Sequence, residues 1–215
     1  AYASKRLRND KNLAKYAVGC HPKNILHIAK ELRYDPEIVK HMIDKTGCIK
    51  YAPEKLRNDF MLGLFSVEKG DNLQYLSKSL REKKIIVNTA IRRNPTSLAF
   101  ASTSLRDDID TVKAAVRMYG GAFIYASSRL KRNKEIAMMA LRSKPDLLPC
   151  LDFKDDMEVV VGVLRRQPSL YNILDRHLKK SKFLCCLVCK IDPDMLYAVE
   201  LKENEDVSYE ACIRY

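Results

Sequence analysis

Apolar positions recur along this chain at a fixed interval. A large apolar residue stands at Leu7, Leu32, Leu56, Leu80, Leu105 and Leu130, and the series continues through Phe153, Leu178 and Leu201 at steps of 23–25 residues. Counted from each of these as position zero, apolar residues fill positions six, seven, ten and eleven. In one register these are Ile86, Val87, Ala90 and Ile91; in the next they are Thr111, Val112, Ala115 and Val116. Such spacing places them on one face of an α-helix. Three residues after zero stand Asp10, Asp35, Asp59, Asp108 and Asp156, with Asn133, Ser181 and Asn204 in other registers and Lys83 as the exception. These side chains accept hydrogen bonds from the orphan N–H groups of a helix start. Pro36 suits the first helical position, and Glu37, Glu135 and Glu158 complement the dipole in the first turn.

Fifteen residues after zero comes a breaker: Pro22, Gly47, Pro95, Gly120, Pro145, Pro168 and Pro193, with Asp71 following Gly70 in the remaining register. A second helix follows, with apolar residues at minus seven, minus four and zero, as in Leu98, Ala101 and Leu105. The pattern predicts a long helix of about three turns, a tight turn and a helix of about two turns in each unit. Neither is stable alone at that length, so neighbouring units must stack to supply a core. The expectation is an all-α fold, an α-solenoid of about nine short helix–turn–helix repeats. They fill residues 1–215 as a single repeat domain whose last repeat is incomplete. With no initiator Met and a first repeat entered partway, the chain reads as a fragment of a longer or processed protein.

The stretches "YASKRLRNDKNLAKYAV" and "YASSRLKRNKEIAMMAL" resemble a helical repeat family catalogued only as a domain of unknown function, with an A-L-R-x-D-x-E-V-V-x-x-A-V pattern followed by a Y-A-S element. The resemblance is good over residues 1 to about 145. From 146 onward "LDFKDD" and "ELKENED" keep the phase but lose the Y-A-S element. The resemblance implies the repeat fold and no activity.

Composition narrows the functional classes. Apolar residues make up 47% of the 215, enough for a core, and the net charge is +12. No apolar run reaches the length of a membrane span. Seven Gly and no Trp argue against a Gly-rich phosphate-cradling enzyme and against a turn-rich β fold. Seven cysteines in a chain too long to need staples point to free thiols in an intracellular, reducing compartment, the cytoplasm first and the nucleus or an organelle next.

Equal positions stack into columns in a solenoid, and two columns are basic. The residue after zero is Arg8, Arg33, Arg57, Arg81, Arg106 and Lys131, then Lys154, Lys179 and Lys202. It ends the short helix, where a cation suits the dipole, and it lies near the capping Asp10, Asp35, Asp59 and Asp108. The reading is a structural column that bridges repeats to these aspartates. A second column lies twelve and thirteen residues after zero: Arg92, Arg93, Arg117 and Arg142, then Arg165, Arg166 and Lys190. Earlier registers hold Gly19, Asp44 and Glu68 at position twelve. A dipole explanation would demand cations in every register, so this column is the candidate surface for an anion or an acidic partner.

Two further features read as packing. An aromatic series five before zero (Tyr2, His27, Tyr51, Tyr75, Phe100, Tyr125) gives way to Leu148, Ile173 and Leu196, as core filler would. In "CCLVC", Cys186 and Cys189 form a C-x-x-C, yet Cys185 and Cys189 sit on the apolar columns, as does Cys212, and no second C-x-x-C completes a zinc site. No Walker loop, H-E-x-x-H or G-x-S-x-G occurs, and His21, His27, His41 and His177 stand in no fixed relation to a nucleophile. No metal or cofactor is expected. The sequence points to a non-catalytic protein-interaction scaffold, of the kind that serves within a larger assembly, with a protein as the first-choice partner; the alternative is a basic solenoid that binds RNA or DNA backbones.

Overall fold

Each helix start predicted by a capping aspartate is where a long helix begins. In the computed structural model, residues 4–201 and 203–212 are described; Tyr2 and Lys202 lie outside them, as do the side chains of residues 209–212, Cys212 included. Asp10 Oδ1 accepts from the Leu13 N–H at 2.8 Å, Asp35 from Glu37 at 2.8 Å and Asp59 from Leu62 at 2.8 Å. Asp108 accepts from Asp110 and Thr111 at 3.0 and 3.1 Å, and Asp156 from Glu158 and Val159 at 3.0 and 3.2 Å. The fold is all-α, with no strand among the described residues, in keeping with an α-solenoid.

The chain groups into two compact units, Ala1–Met118 and Tyr119–Tyr215. In the first, the long helices are Lys11–Cys20, Pro36–Thr46, Phe60–Lys69, Lys84–Arg93 and Ile109–Met118, and each packs against the next. In the second they are Lys134–Ser143, Met157–Leu164, Lys182–Ile191 and Glu205–Cys212. The core combines the columns at six, seven, ten and eleven with those at minus seven, minus four and zero, where Leu98, Ala101 and Leu105 are buried. Ile86, Val87, Ala90 and Ile91 are all buried, as are Leu184, Cys185, Val188 and Cys189. Each such aliphatic side chain contributes roughly 1.5–3 kcal/mol on burial.

The second helix of the repeat is not one helix. It is a 3-10 turn followed by a separate four-residue α-helix: Pro95–Phe100 then Thr103–Arg106, and Gly120–Tyr125 then Ser128–Lys131. The expected two-turn helix is thus broken; a serine caps the new short helix in several registers, and the break also occurs where Ala29 or Asp175 stands there without a side-chain cap. Ser102 and Ser127 adopt extended backbone (ψ 159), and their hydroxyls accept from the Leu105 and Leu130 N–H at 3.3 and 3.2 Å. Ser4 and Ser77 do the same for Leu7 and Leu80. A capping serine starts a new helix instead of continuing the old one. The backbone N–H at this position, held outside any helix, donates to the previous repeat. Ala29 reaches the Arg8 carbonyl at 2.8 Å, Ser77 the Arg57 carbonyl at 3.3 Å, and Ser102 the Arg81 carbonyl at 3.1 Å.

Neighbouring long helices are also joined at their first turns by a lysine four residues after zero. Lys11 lies 2.8 Å from Asp35 and 2.6 Å from Glu37, Lys84 2.6 Å from Asp108, and Lys134 2.8 Å from Asp156 and 2.6 Å from Glu158. Hydrogen bonds from Lys11 and from Lys15 hold Glu37 at about 2, below its ordinary 4.5. Asp35 is lowered by Lys11, and Asp156 by Lys134. A depressed carboxylate stabilises the fold above its unfolded value and ceases to do so as pH falls through its folded value. These ties are therefore expected to be intact from pH 5 upward and to weaken between pH 4.5 and about 2. Thermal melts across that range check this, and Lys11→Met should flatten the pH dependence of the Lys11–Cys20 and Pro36–Thr46 pair.

Candidate functional site

The first basic column lies on the short-helix side, and among the described residues none of its arginines pairs with a capping carboxylate; two of them bond to backbone. Arg33 Nε donates to the Ile28 carbonyl at 3.1 Å, and an Arg57 Nη donates to the Tyr75 carbonyl, one repeat on, at 3.1 Å. Arg81 and Arg106 are half-buried, and their Nε atoms are buried without a hydrogen-bond acceptor. Arg8 is exposed and Lys131 half-buried. Asp35 and Asp108 take their ion pairs from Lys11 and Lys84 instead, because the lysine leaves the first turn of the long helix, at the end where the neighbour's cap sits. Asp10 and Asp59 serve as caps, with no ion pair among the described residues.

Four grooves share the residue after zero as a lining group. One of about 250 Å³ holds Arg8 with Leu7, Leu13, His27 and Ile28. One of about 300 Å³ holds both Arg81 and Arg106. In the second unit, one of about 390 Å³ holds Lys131 beside Arg132 and Asp152, and one of about 60 Å³ holds Lys154 beside Asp175. They arise because the short helix and its 3-10 turn are too small to fill the space beside the next short helix. The column read as structural is the one that lines these concavities.

The second basic column closes the long helices. Arg92, Arg93, Arg117, Arg142, Arg165, Arg166 and Lys190 are all exposed. Two of them act locally. An Nη of Arg93 donates to the Glu68 carbonyl at 3.0 Å, and an Nη of Arg166 to the Arg142 carbonyl at 2.7 Å. Each caps the end of the preceding long helix, where carbonyls lack intrahelical partners. Lys69 does the same work in an earlier register by pairing with Asp44 at 2.9 Å, so an acid at position twelve replaces the bare carbonyl as acceptor.

Aromatic rings five before zero are half-buried at Tyr51, Tyr75 and Tyr125. Lys50 stands over both Tyr51 and Tyr75, 5.7 and 5.5 Å from the ring centres, and Lys23 over Tyr51 at 5.9 Å. Cys185 and Cys189 are fully buried, and burial first, with neighbouring thiols next, pushes the Cys189 thiol up to about 11. They pack as core. Asp155, Asp175 and His177 present oxygen and nitrogen atoms within 4.8 Å of one another, all exposed, but Asp175 already holds Lys154 at 2.7 Å.

One surface escaped the sequence reading. Phe60, Met61, Ile85 and Ile109 occupy positions four and five, on the first turns of three successive long helices of the first unit, and they are exposed: Met61 is 70% and Ile85 57% accessible. Met157 and Phe183 stand at the same positions in the second unit. The signal was present as apolar residues outside the four core columns.

The serine cap, the basic residue after zero and the aspartate cap recur with one phase. Residues 64–106 and 108–155 match two copies of DUF4116, a domain of unknown function. The matched segment is narrower at its start than the resemblance over residues 1–145 and reaches further at its end. The matched residues include the groove of Arg81 and Arg106 as well as that of Lys131. No curated protein and no solved structure matches the chain.

Proposed function

We propose that this protein is a non-catalytic scaffold that binds a protein partner of acidic character. The exposed row of Phe60, Met61, Ile85 and Ile109 carries this reading. Apolar side chains held in the open at positions four and five of successive repeats are what a protein partner buries, and a phosphate backbone gains nothing from them. The net charge of +12 adds long-range attraction for an acidic partner. Stacking of bases on the rings at Tyr51 and Tyr75 is disfavoured because lysines of the same chain stand over them. Free thiols packed in the core, as at Cys185 and Cys189, fit a reducing intracellular compartment. Among the described residues no helix is long and apolar enough to cross a membrane.

The test compares wild type with the triple variant Met61→Ser, Ile85→Ser, Ile109→Ser in nuclease-treated affinity capture, with binding of each captured protein then measured using purified components. A partner that binds wild type and loses about tenfold or more with the triple variant supports the reading. Equal binding by both refutes it. So does direct RNA or DNA binding that survives about 150 mM salt while no protein binds.

A further inference from the structure

We propose that the groove between the short helices Lys78–Arg81 and Thr103–Arg106 is a binding site for a tetrahedral oxyanion of the phosphate type. The groove measures about 300 Å³ and is lined by three cations, Lys78, Arg81 and Arg106, and by the hydroxyl-bearing run Ser102–Ser104. Glu82 is its one carboxylate, and it forms no ion pair with either arginine among the described residues.

Three observations single out this groove. The first is charge: the other grooves are neutralised or weakly charged. Arg132 lies 3.7 Å from Asp152 in one, Lys154 is paired with Asp175 in another, and the groove of Arg8 offers one arginine among apolar side chains. Here three cations meet one acid. The second is unmet hydrogen bonding. Arg33 and Arg57 have each found one carbonyl acceptor, although the Arg57 Nε is buried without one; among the described residues neither guanidinium of Arg81 and Arg106 has any acceptor, and the Nε of each is buried. A buried donor without a partner costs the desolvation of that group, which an arriving oxyanion offsets through forked charge-assisted bonds. The third is the hydroxyl run. Ser102 and Ser104 hold each other at 2.8 Å, and Ser102 also accepts from Leu105, so both hydroxyls are fixed in place beside the cations. Phe100, 38% exposed, forms one wall and offers a ring face to whatever group the phosphate carries.

This site stands apart from the apolar row on which the scaffold reading rests, so the two can fail separately. The experiment follows the Arg side-chain Nε–Hε resonances of the whole chain while inorganic phosphate replaces chloride at constant ionic strength. Phenyl phosphate is titrated in parallel. Saturable shifts confined to Arg81 and Arg106 are expected. Arg81→Gln should weaken binding about tenfold or more, the equivalent of one charge-assisted hydrogen bond, while Arg6→Gln, at an exposed arginine outside the groove, leaves it unchanged. Arg81→Lys, which keeps the charge but not the fork, should fall between wild type and Arg81→Gln. Tighter binding of phenyl phosphate that disappears in Phe100→Ala assigns the ligand as a phosphate ester; equal binding of the two probes assigns free phosphate. Shifts that do not saturate, or that Arg6→Gln reduces as much as Arg81→Gln does, overturn the proposal.

Discussion

Replacing Asn72 with alanine is expected to cost about 3 kcal/mol, among the largest effects of any polar substitution in the first unit. Asn72 is buried and uses its whole amide. Its Nδ2 donates to the Gly47 carbonyl at 2.8 Å and to the Ser66 carbonyl at 2.7 Å, and its Oδ1 accepts from the Ile49 N–H at 3.1 Å. It thereby ties the end of the helix Phe60–Lys69 to the turn that leaves the helix Pro36–Thr46. That turn depends on Gly47 in the left-handed region (φ 65), which ends the helix as a C-terminal cap. Gly70 passes so close that a Cβ there would meet the Gly47 oxygen at 2.4 Å, so the amide lies where two backbones touch. Alanine leaves a buried N–H and two carbonyls without this partner. Because stacked repeats respond mainly through their neighbours, the loss should be local. Hydrogen exchange is the proper measurement, and the Ile49 amide should lose the most protection. Asn72→Asp should be worse still at neutral pH, since a carboxylate cannot donate to either carbonyl and brings a charge against both. An Asn72→Ala chain with unchanged protection at Ile49 would show that the amide does not hold this joint.

Why the sequence revealed the long helices and not this joint follows from where the partners lie. The columns of Ile86, Val87, Ala90 and Ile91 are written in side chains, and the structure buries all four. The capping aspartates are likewise side-chain chemistry at fixed spacing, and five of them cap as read. Asn72, Arg57, Arg93 and Arg166 instead bond to backbone carbonyls, which every residue has, so nothing in the sequence marks the acceptor. The second basic column was for this reason legible as charge and illegible as capping. The break within the short helix was missed because four residues are too few for a 3.6-residue period to separate one helix from two. Only the extended backbone of Ser102 and Ser127 shows that the Y-A-S serine is a cap. The lysine ties at Lys11, Lys84, Lys134 and Lys182 fall in the first, fourth, sixth and eighth registers rather than in every one, which hid them from a search for uniform columns.

Tyr171→Ala is expected to cost about 4 kcal/mol in the second unit, and Tyr171→Phe about 1.5 kcal/mol of that. Tyr171 is fully buried seven residues before Leu178, a position that Ile25, Leu73, Leu98 and Phe123 fill with hydrocarbon in other repeats. Its ring supplies the same packing, and its hydroxyl adds a polar centre. The hydroxyl donates to the Lys179 carbonyl at 2.6 Å and accepts from the Glu200 N–H at 3.3 Å, 29 residues along the chain. Cys185 Sγ lies 3.4 Å from it and shares the Lys179 carbonyl. Burial first, and the Cys185 contact next, raises the Tyr171 pKa well above its ordinary value, so the hydroxyl remains a neutral donor throughout the stable pH range. Phenylalanine keeps the ring and frees the Glu200 N–H, while alanine also opens a cavity. Denaturant melts of the two variants separate packing from hydrogen bonding, and exchange of the Glu200 amide reports the hydroxyl alone. A Tyr171→Phe chain as stable as wild type, with Glu200 still protected, would mean that this hydroxyl does not tie the last repeats together. A Phe variant as unstable as the Ala variant would mean that the hydroxyl, rather than the ring, holds them.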